Sequence, residues 1–214
     1  MQDYYRQRAR DYESIYFRPD AVRLDEQEEL ARAIRGHLAG RDVLEIAAGT
    51  GWWTVQAAAT ARHVTATDAV DETLEIARTK PLPASKVEFR LADAYDLTSL
   101  GRRFDAALCC FWLSHVARAD LRRFIDGMHD VLEPGAAVFV ADNCLVPDLG
   151  GELVAPVDEA DTYKRRPRAD GTTQLVLKNY YDAAELQTLF GPRAKDLRIH
   201  HGRHFGWLRY SLDA

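Results

Sequence analysis

No apolar run in this chain approaches the ~20 residues needed to cross a bilayer. The opening residues, Met1-Gln2-Asp3-Tyr4-Tyr5-Arg6, do not form the apolar segment of a secretory signal. Cysteine is scarce: there are three in 214 residues, with no Cys-x-x-Cys pair and no Cys/His spacing suited to zinc. Cys109 and Cys110 are neighbours in an apolar run, so on a strand they face opposite sides and read as small buried hydrophobes. A basic surplus is missing too. With 28 Lys and Arg against 33 Asp and Glu, the net charge of −5 is opposite to what gripping a nucleic-acid backbone requires. The one basic cluster, Lys164-Arg165-Arg166-Pro167-Arg168, reads as a solvated loop. A cytoplasmic protein with no membrane partner and no metal is expected. A nucleic-acid substrate is disfavoured, and a homodimer stays open.

The rest is ordinary globular material, 47% apolar and 29% charged, enough for one domain with a full core. Residues 1–40 read as a helical cap, with aromatic residues Tyr4, Tyr5, Tyr12 and Tyr16 and then Leu30, Ile34 and Leu38 at helical spacing. From Asp42 the pattern alternates. Apolar strands are predicted near residues 43–47, 63–68, 87–91, 104–111 and 136–141, separated by helices or turns. Repeated units of this kind give an α/β fold, a mostly parallel sheet with helices on both faces. Residues 146–181 break the rhythm with Pro147, Pro156, Pro167, Gly150, Gly151 and Gly171. They read as an insertion, one natural use of which is to cover a site. A helix near 183–190 and a strand pair near 197–201 and 204–212, turning at Gly202-Arg203, complete the single domain over 182–214.

The first strand ends in Glu45-Ile46-Ala47-Ala48-Gly49-Thr50-Gly51. Small residues there let the backbone approach a ligand, and the helix that follows offers free N–H groups. An acid, Asp68, ends the second strand. Leu91-Ala92-Asp93-Ala94 closes the third, Phe104-Asp105-Ala106-Ala107-Leu108 forms the fourth, and Leu132-Glu133-Pro134-Gly135-Ala136 makes a tight loop before the fifth. In order and at strand ends, these segments over residues 40–145 resemble the class I S-adenosylmethionine-dependent methyltransferases, whose first motif has the form Glu/Asp-x-Gly-x-Gly-x-Gly. Ala47 stands at its first glycine.

The resemblance implies a Rossmann-like, seven-stranded, mostly parallel sheet with an N-terminal helical cap, and S-adenosylmethionine as cofactor. It also implies roles. Glu45 orients the loop and reaches toward the amino group of the methionine part; Ala47, Gly49 and Gly51 line the cofactor. Asp68 takes the ribose, and Asp93 with Ala94 the adenine. Phe111 lies at the methionine end, and Tyr4 and Tyr12 fold over as a lid or simply pack. Each residue also has a structural reading: Asp68 as a helix cap, Asp93 as a turn residue, Glu45 as a carboxylate tied to backbone N–H groups.

His115 follows the fourth strand and is the candidate general base, with packing under the next helix as its alternative. Trp112, Asn143 and Tyr163 are candidate acceptor contacts. Asp142-Asn143 resembles part of the metal site of catechol methyltransferases, but no acid follows the fourth strand to complete it. The Asn/Asp-Pro-Pro-aromatic tetrad of enzymes that methylate DNA bases is absent; Cys109-Cys110-Phe111-Trp112 stands there. The expected activity is methyl transfer to an N or O atom of a small, partly aromatic metabolite. The alternatives are a nicotinamide-dependent reductase, against which Thr54 stands where a third glycine would be, and a non-catalytic S-adenosylmethionine-binding regulatory protein.

Overall fold

The computed structural model describes Glu13, Tyr16, Phe17 and residues 19–147, 149–167 and 171–213. Tyr4 and Tyr12 lie outside the described residues. The first long helix, α1 (Ala21–His37), starts at Asp20, whose side chain accepts the Arg23 N–H. This is an N-cap of the usual acidic kind. It begins earlier than apolar spacing alone predicts, because its first two turns are largely polar and exposed. Then come β1 (Asp42–Ile46), α2 (Trp52–Thr60), β2 (His63–Asp68), α3 (Asp71–Arg78), β3 (Val87–Leu91), β4 (Phe104–Cys110), α4 (Leu121–Asp130) and β5 (Leu132–Asn143). Three short strands follow, β6 (Glu152–Val154), β7 (Tyr163–Pro167) and β8 (Thr173–Leu177), then α5 (Ala183–Phe190), β9 (Ala194–His201) and β10 (Phe205–Leu212).

Seven strands form one sheet in the order β3-β2-β1-β4-β5-β10-β9. The pairings from β3 to β5 are all parallel, and β10 runs antiparallel to both β5 and β9. The mostly parallel α/β sheet expected from the sequence is therefore present. The strand order reverses between β1 and β4, and in such sheets the crevice outside the carboxyl ends of the strands at that point is where ligands bind.

Alternate residues of each strand feed two cores. Leu44, Ile46, Cys109, Val138 and Val140 pack with Phe124, Met128 and Phe190 on one face. Val43, Leu108, Cys110, Phe139 and Trp207 pack with Leu30, Ile34 and Trp53 on the other. Cys109 and Cys110 thus fall on opposite faces, buried and unbridged.

Two expectations need correction. Glu133-Pro134-Gly135 is not a loop before β5 but lies inside it, where the pairing with β4 slips between Phe104 and Ala106. Buried Leu132 already pairs with Phe104, so the strand resumes on both sides of a kink; Gly135 has φ 78°, and Pro134 has no N–H to lose. The second concerns residues 146–181, where the sequence shows no periodicity but the chain folds a separate antiparallel sheet, β6-β7-β8. Among the described residues no helix is long and apolar enough to cross a membrane.

Candidate active site

The carboxyl ends of β1 to β4 enclose a cavity of about 490 Å³. Its floor is the turn after β1. Ala47 and Gly49 both have φ 56°, so the turn passes twice through the left-handed region before Gly51 (φ 81°) caps α2. The turn is held from β2: Ala48 N–H donates to Thr67 O at 2.8 Å, and Gly49 N–H to Asp68 Oδ2 at 2.8 Å. A Cβ on Gly49 would meet nothing within 4 Å, so its backbone is bare toward the cavity. Gly51 serves differently. It is not on the wall, and a Cβ there would come within 3.0 Å of the Ala77 methyl, so this glycine lets α3 pack close. Its expected cofactor contact is replaced by a packing role.

Three carboxyl groups border the space. Glu45 is buried, and its Oε2 makes no hydrogen bond; burial, with the nearby Asp68 charge adding to it, pushes its carboxyl up to about 8. Asp68 accepts N–H groups on both oxygens, Gly49 on Oδ2 and Val70 on Oδ1 at 2.9 Å. Burial lifts its pKa, and those bonds oppose the rise. Asp93 accepts the Tyr95 N–H at 2.9 Å beside buried Ala94. Asp93 thus holds a turn as well as bordering the wall, whereas Asp68 does not cap α3, whose N-cap is Val70 without a side-chain bond; it ties the turn after β1 to the chain after β2 instead.

Aromatic rings close the cavity's other side. Tyr16 stacks on Trp52 with ring centroids 4.4 Å apart and accepts the Trp53 indole N–H at 3.1 Å. Glu13 ties this segment down, accepting Thr50 Oγ1–H at 2.9 Å and Lys80 Nζ–H at 2.5 Å. In the sequence Tyr16 is one aromatic among several, because its stacking partner lies 36 residues away, beyond any local pattern. Phe111 (φ 61°) sits between Trp53 and Phe205 with centroids 5.6 and 5.5 Å away. A bulky residue in the left-handed region is strained, and such strain collects at ligand sites. Trp112 is on the wall with its indole N–H unbonded among buried atoms.

His115 is on the wall too, and buried. Its Nδ1 lies 2.7 Å from Leu177 O, which can only accept, so Nδ1 carries the proton. Burial, and then the Lys178 charge, push its pKa down to about 3. Lys178 itself is buried, donating to Ser114 Oγ at 2.6 Å and to Asp142 Oδ1 at 3.0 Å. Asp142 also accepts the Ser114 N–H and O–H at 2.8 and 2.9 Å. The β6-β7-β8 sheet is thus bonded to the turn after β4 through both His115 and Lys178.

Two expected contacts fall elsewhere. Asn143 borders a separate small cavity with Asn179 and Tyr181. Tyr163 lies on the outer face of the β6-β7-β8 sheet, its hydroxyl donating to Glu159 at 2.8 Å. Alternation along β7 puts it opposite to buried Lys164. Asp142 is engaged by Lys178 and Ser114.

Comparison with known proteins agrees with this geometry. A family profile described as a methyltransferase domain matches residues 43–135. A demethylmenaquinone methyltransferase of Clavibacter sepedonicus is 35% identical over 127 residues, 56% of this chain and 51% of that one. A ubiquinone biosynthesis O-methyltransferase of Xylella fastidiosa is 33% identical over 50% of this chain and 44% of its own. The chain spans about half the length of the curated relatives it matches. Over nearly all of it, a structure of DhpI in complex with SAH superposes with a TM-score of 0.78 at 27% identity, covering 99% of this chain and 95% of that one. A DhpI complex with SAM and HEP gives 0.77 at 28%, covering 97% of this chain and 94% of the other. The motifs at the ends of β1 to β4, the strand order and these likenesses agree: residues 43–135 match a methyltransferase domain, and the whole chain resembles the class I S-adenosylmethionine-dependent methyltransferases in fold.

Proposed function

We propose that this protein transfers a methyl group from S-adenosylmethionine to an oxygen or nitrogen of a small molecule. The observation that carries the reading is the buried Glu45 carboxyl, with an unbonded oxygen, beside a bare glycine turn and two further carboxylates on one wall. That set fits an adenosyl amino acid. Glu45 faces a positive amino group, which would draw off its proton and stabilise its charge. The remaining lone pairs of Asp68 accept ribose hydroxyls, and Asp93 with Ala94 borders the adenine. Gly49 and Ala47 offer backbone rather than bulk, and Tyr16, Trp52 and Trp53 exclude water.

Bound S-adenosylmethionine supplies a methyl on a positively charged sulfur, so the protein's task is alignment and dryness more than bond-breaking. Phe111 and Trp112 shape the reacting end. His115 acts as a positioning residue. With a pKa near 3 it is a poor proton acceptor at neutral pH, and its bond to Leu177 O fixes the cover.

The test is incubation with S-adenosylmethionine tritiated at the methyl and a panel of small phenols, amines and acids. Label recovered in an acceptor supports the reading. Binding of S-adenosylhomocysteine with no transfer to any acceptor would favour a regulatory protein instead.

A further inference from the structure

The turn after β4 sends its two aromatic residues to opposite faces of the sheet. Cys109 packs in the core shared with α4 and α5, and Cys110 in the core shared with α1 and α2. Strand alternation would return Phe111 to the first of these. Phe111 instead stays with Cys110, its φ of 61° breaking the alternation, and Trp112 takes the other face. A bulky residue keeps that conformation only where its surroundings hold it. Both sides of the kink are tied: Phe111 N–H donates to Ala141 O at 2.7 Å, and Trp112 O accepts the His115 N–H at 2.8 Å. Trp112 thereby packs on the same core as Ala47, Ala92 and Tyr95, which follow β1 and β3 and line the cavity with it.

Among the described residues of the wall, two buried side-chain atoms lack a hydrogen bond, Glu45 Oε2 and Trp112 Nε1. They are opposites. An ionised carboxyl only accepts, and an indole nitrogen only donates. Other side-chain donors of the wall are engaged within the protein. Trp53 N–H goes to Tyr16 at 3.1 Å, and the Thr50 hydroxyl to Glu13 at 2.9 Å. The Thr73 hydroxyl goes to Val70 O at 2.6 Å, and His115 Nδ1–H to Leu177 O at 2.7 Å. A buried donor without a partner is unfavourable, so one on a cavity wall marks where a ligand atom completes it.

We propose that the Trp112 indole N–H is a cofactor contact, donating a hydrogen bond to an acceptor atom of bound S-adenosylmethionine. The idea rests on the methyl-transfer reading and deepens it. It adds a donor to a wall whose carboxyl groups and bare glycine turn otherwise offer acceptors and room. It also moves Trp112 from the acceptor contact that its sequence position suggests to the cofactor. The packing favours that move, since Ala47, Ala92 and Tyr95 belong to the segments that carry Glu45 and Asp93.

The cofactor carries hydrogen-bond acceptors of two kinds. Its nucleoside half has the adenine ring nitrogens and the ribose oxygens, and its amino-acid half has a carboxylate. Either completes an indole N–H, and in a dry cavity either bond is stronger than in water. The left-handed Phe111 then has a use. Its strain places Trp112 on the face where the donor meets the cofactor, which is how strain at a ligand site is repaid.

The test follows the indole N–H signal of Trp112 in a proton–nitrogen correlation spectrum. The chain has four tryptophans, and the indole signal missing from Trp112→Phe identifies it. Saturation with S-adenosylhomocysteine should move that proton downfield and slow its exchange with water. Saturation with 5′-methylthioadenosine, which keeps the nucleoside and lacks the amino-acid part, finds the source. The same change places the partner in the nucleoside, and a change with S-adenosylhomocysteine alone places it at the carboxylate. Trp112→Phe keeps a ring and loses the donor, so calorimetry should show S-adenosylhomocysteine bound at least fivefold more weakly. S-adenosylhomocysteine binding with the Trp112 signal unmoved would overturn the proposal. So would a folded Trp112→Phe protein with unchanged affinity. If that variant does not fold, replacing the other three tryptophans singly assigns the signal by elimination, and the titration decides. Failure to bind S-adenosylhomocysteine at all would instead count against the methyl-transfer reading.

Discussion

Where β1, β2 and β3 end, the protein builds its wall from small residues, backbone N–H groups and one carboxyl per strand. Where β6 to β8 fold over the ends of β4 and β5, it uses long cationic side chains held by distant partners. The first wall is a product of the chain turning: Ala47 and Gly49 at positive φ, with Asp68 capturing Gly49 and Val70 N–H groups only 19 and 2 residues away. The second is a product of tertiary assembly. Ser114, Asp142 and Lys178 are bonded across separations of 28, 36 and 64 residues. One end is shaped by the chain's own turns, and the other by contacts with a separate sheet.

The comparison breaks first at Lys178. Replacing it by methionine leaves the Asp142 charge buried without its partner, and unfolding free energy should fall by about 3–5 kcal/mol. S-adenosylhomocysteine affinity of the folded fraction should stay nearly constant, because the cofactor wall is separate. Chemical denaturation within about 0.5 kcal/mol of wild type would show that the pair does not hold the cover down.

The cofactor wall should respond in the opposite sense. Asp68→Asn should weaken S-adenosylmethionine binding at least tenfold, about 1.4 kcal/mol, by loss of charge-assisted bonds; equal affinity would place the ribose elsewhere. Glu45→Gln has two readouts. Because burial raises the carboxyl from 4.5 to about 8, the folded protein keeps a proton that the unfolded chain releases in that range. Its contribution is therefore full below the unfolded value and is lost as pH rises through the folded one. The ligand-free variant should then gain melting temperature over wild type increasingly toward pH 8, while its cofactor affinity drops. A constant difference across that range would mean that Glu45 ionises normally.

This contrast also governs what could be read in the sequence. The parallel α/β sheet, its first five strands and the acid at the end of each of the first three are local signals: an apolar run, a glycine turn and a fixed spacing. The β6-β7-β8 sheet is invisible to the same reading, since β6 has three residues and the inward face of β7 and β8 carries buried Lys164 and half-buried Arg166 and Gln174, which invert the usual apolar-in pattern. Lys164 and Arg166 belong to a cluster that reads as a solvated loop by composition alone. Tyr163 reads as an acceptor contact because it is an aromatic in the insertion, but strand alternation turns it outward. Glu133-Pro134-Gly135 reads as a turn because a bulge and a turn use the same residues.

His115 tests the boundary between the two walls. As a positioning residue, its change to Asn should lower turnover by less than the 10²–10⁴-fold of a lost general base. It should also leave no new limb in the pH profile of kcat. A loss inside that range, with a limb tracking a histidine, would return it to the base role. Ala47→Gly is the smallest case: it removes the left-handed strain of a residue with a Cβ and should add about 1 kcal/mol of stability. A fall in melting temperature would mean that the methyl packs usefully.

The most direct measurement is a calorimetric titration of the purified protein with S-adenosylhomocysteine and, separately, with NADPH. The cavity at the ends of β1 to β4 predicts one-to-one binding of the adenosyl compound, weakened by Asp68→Asn, and no heat from the nicotinamide. Saturable binding of NADPH with none of S-adenosylhomocysteine would contradict it.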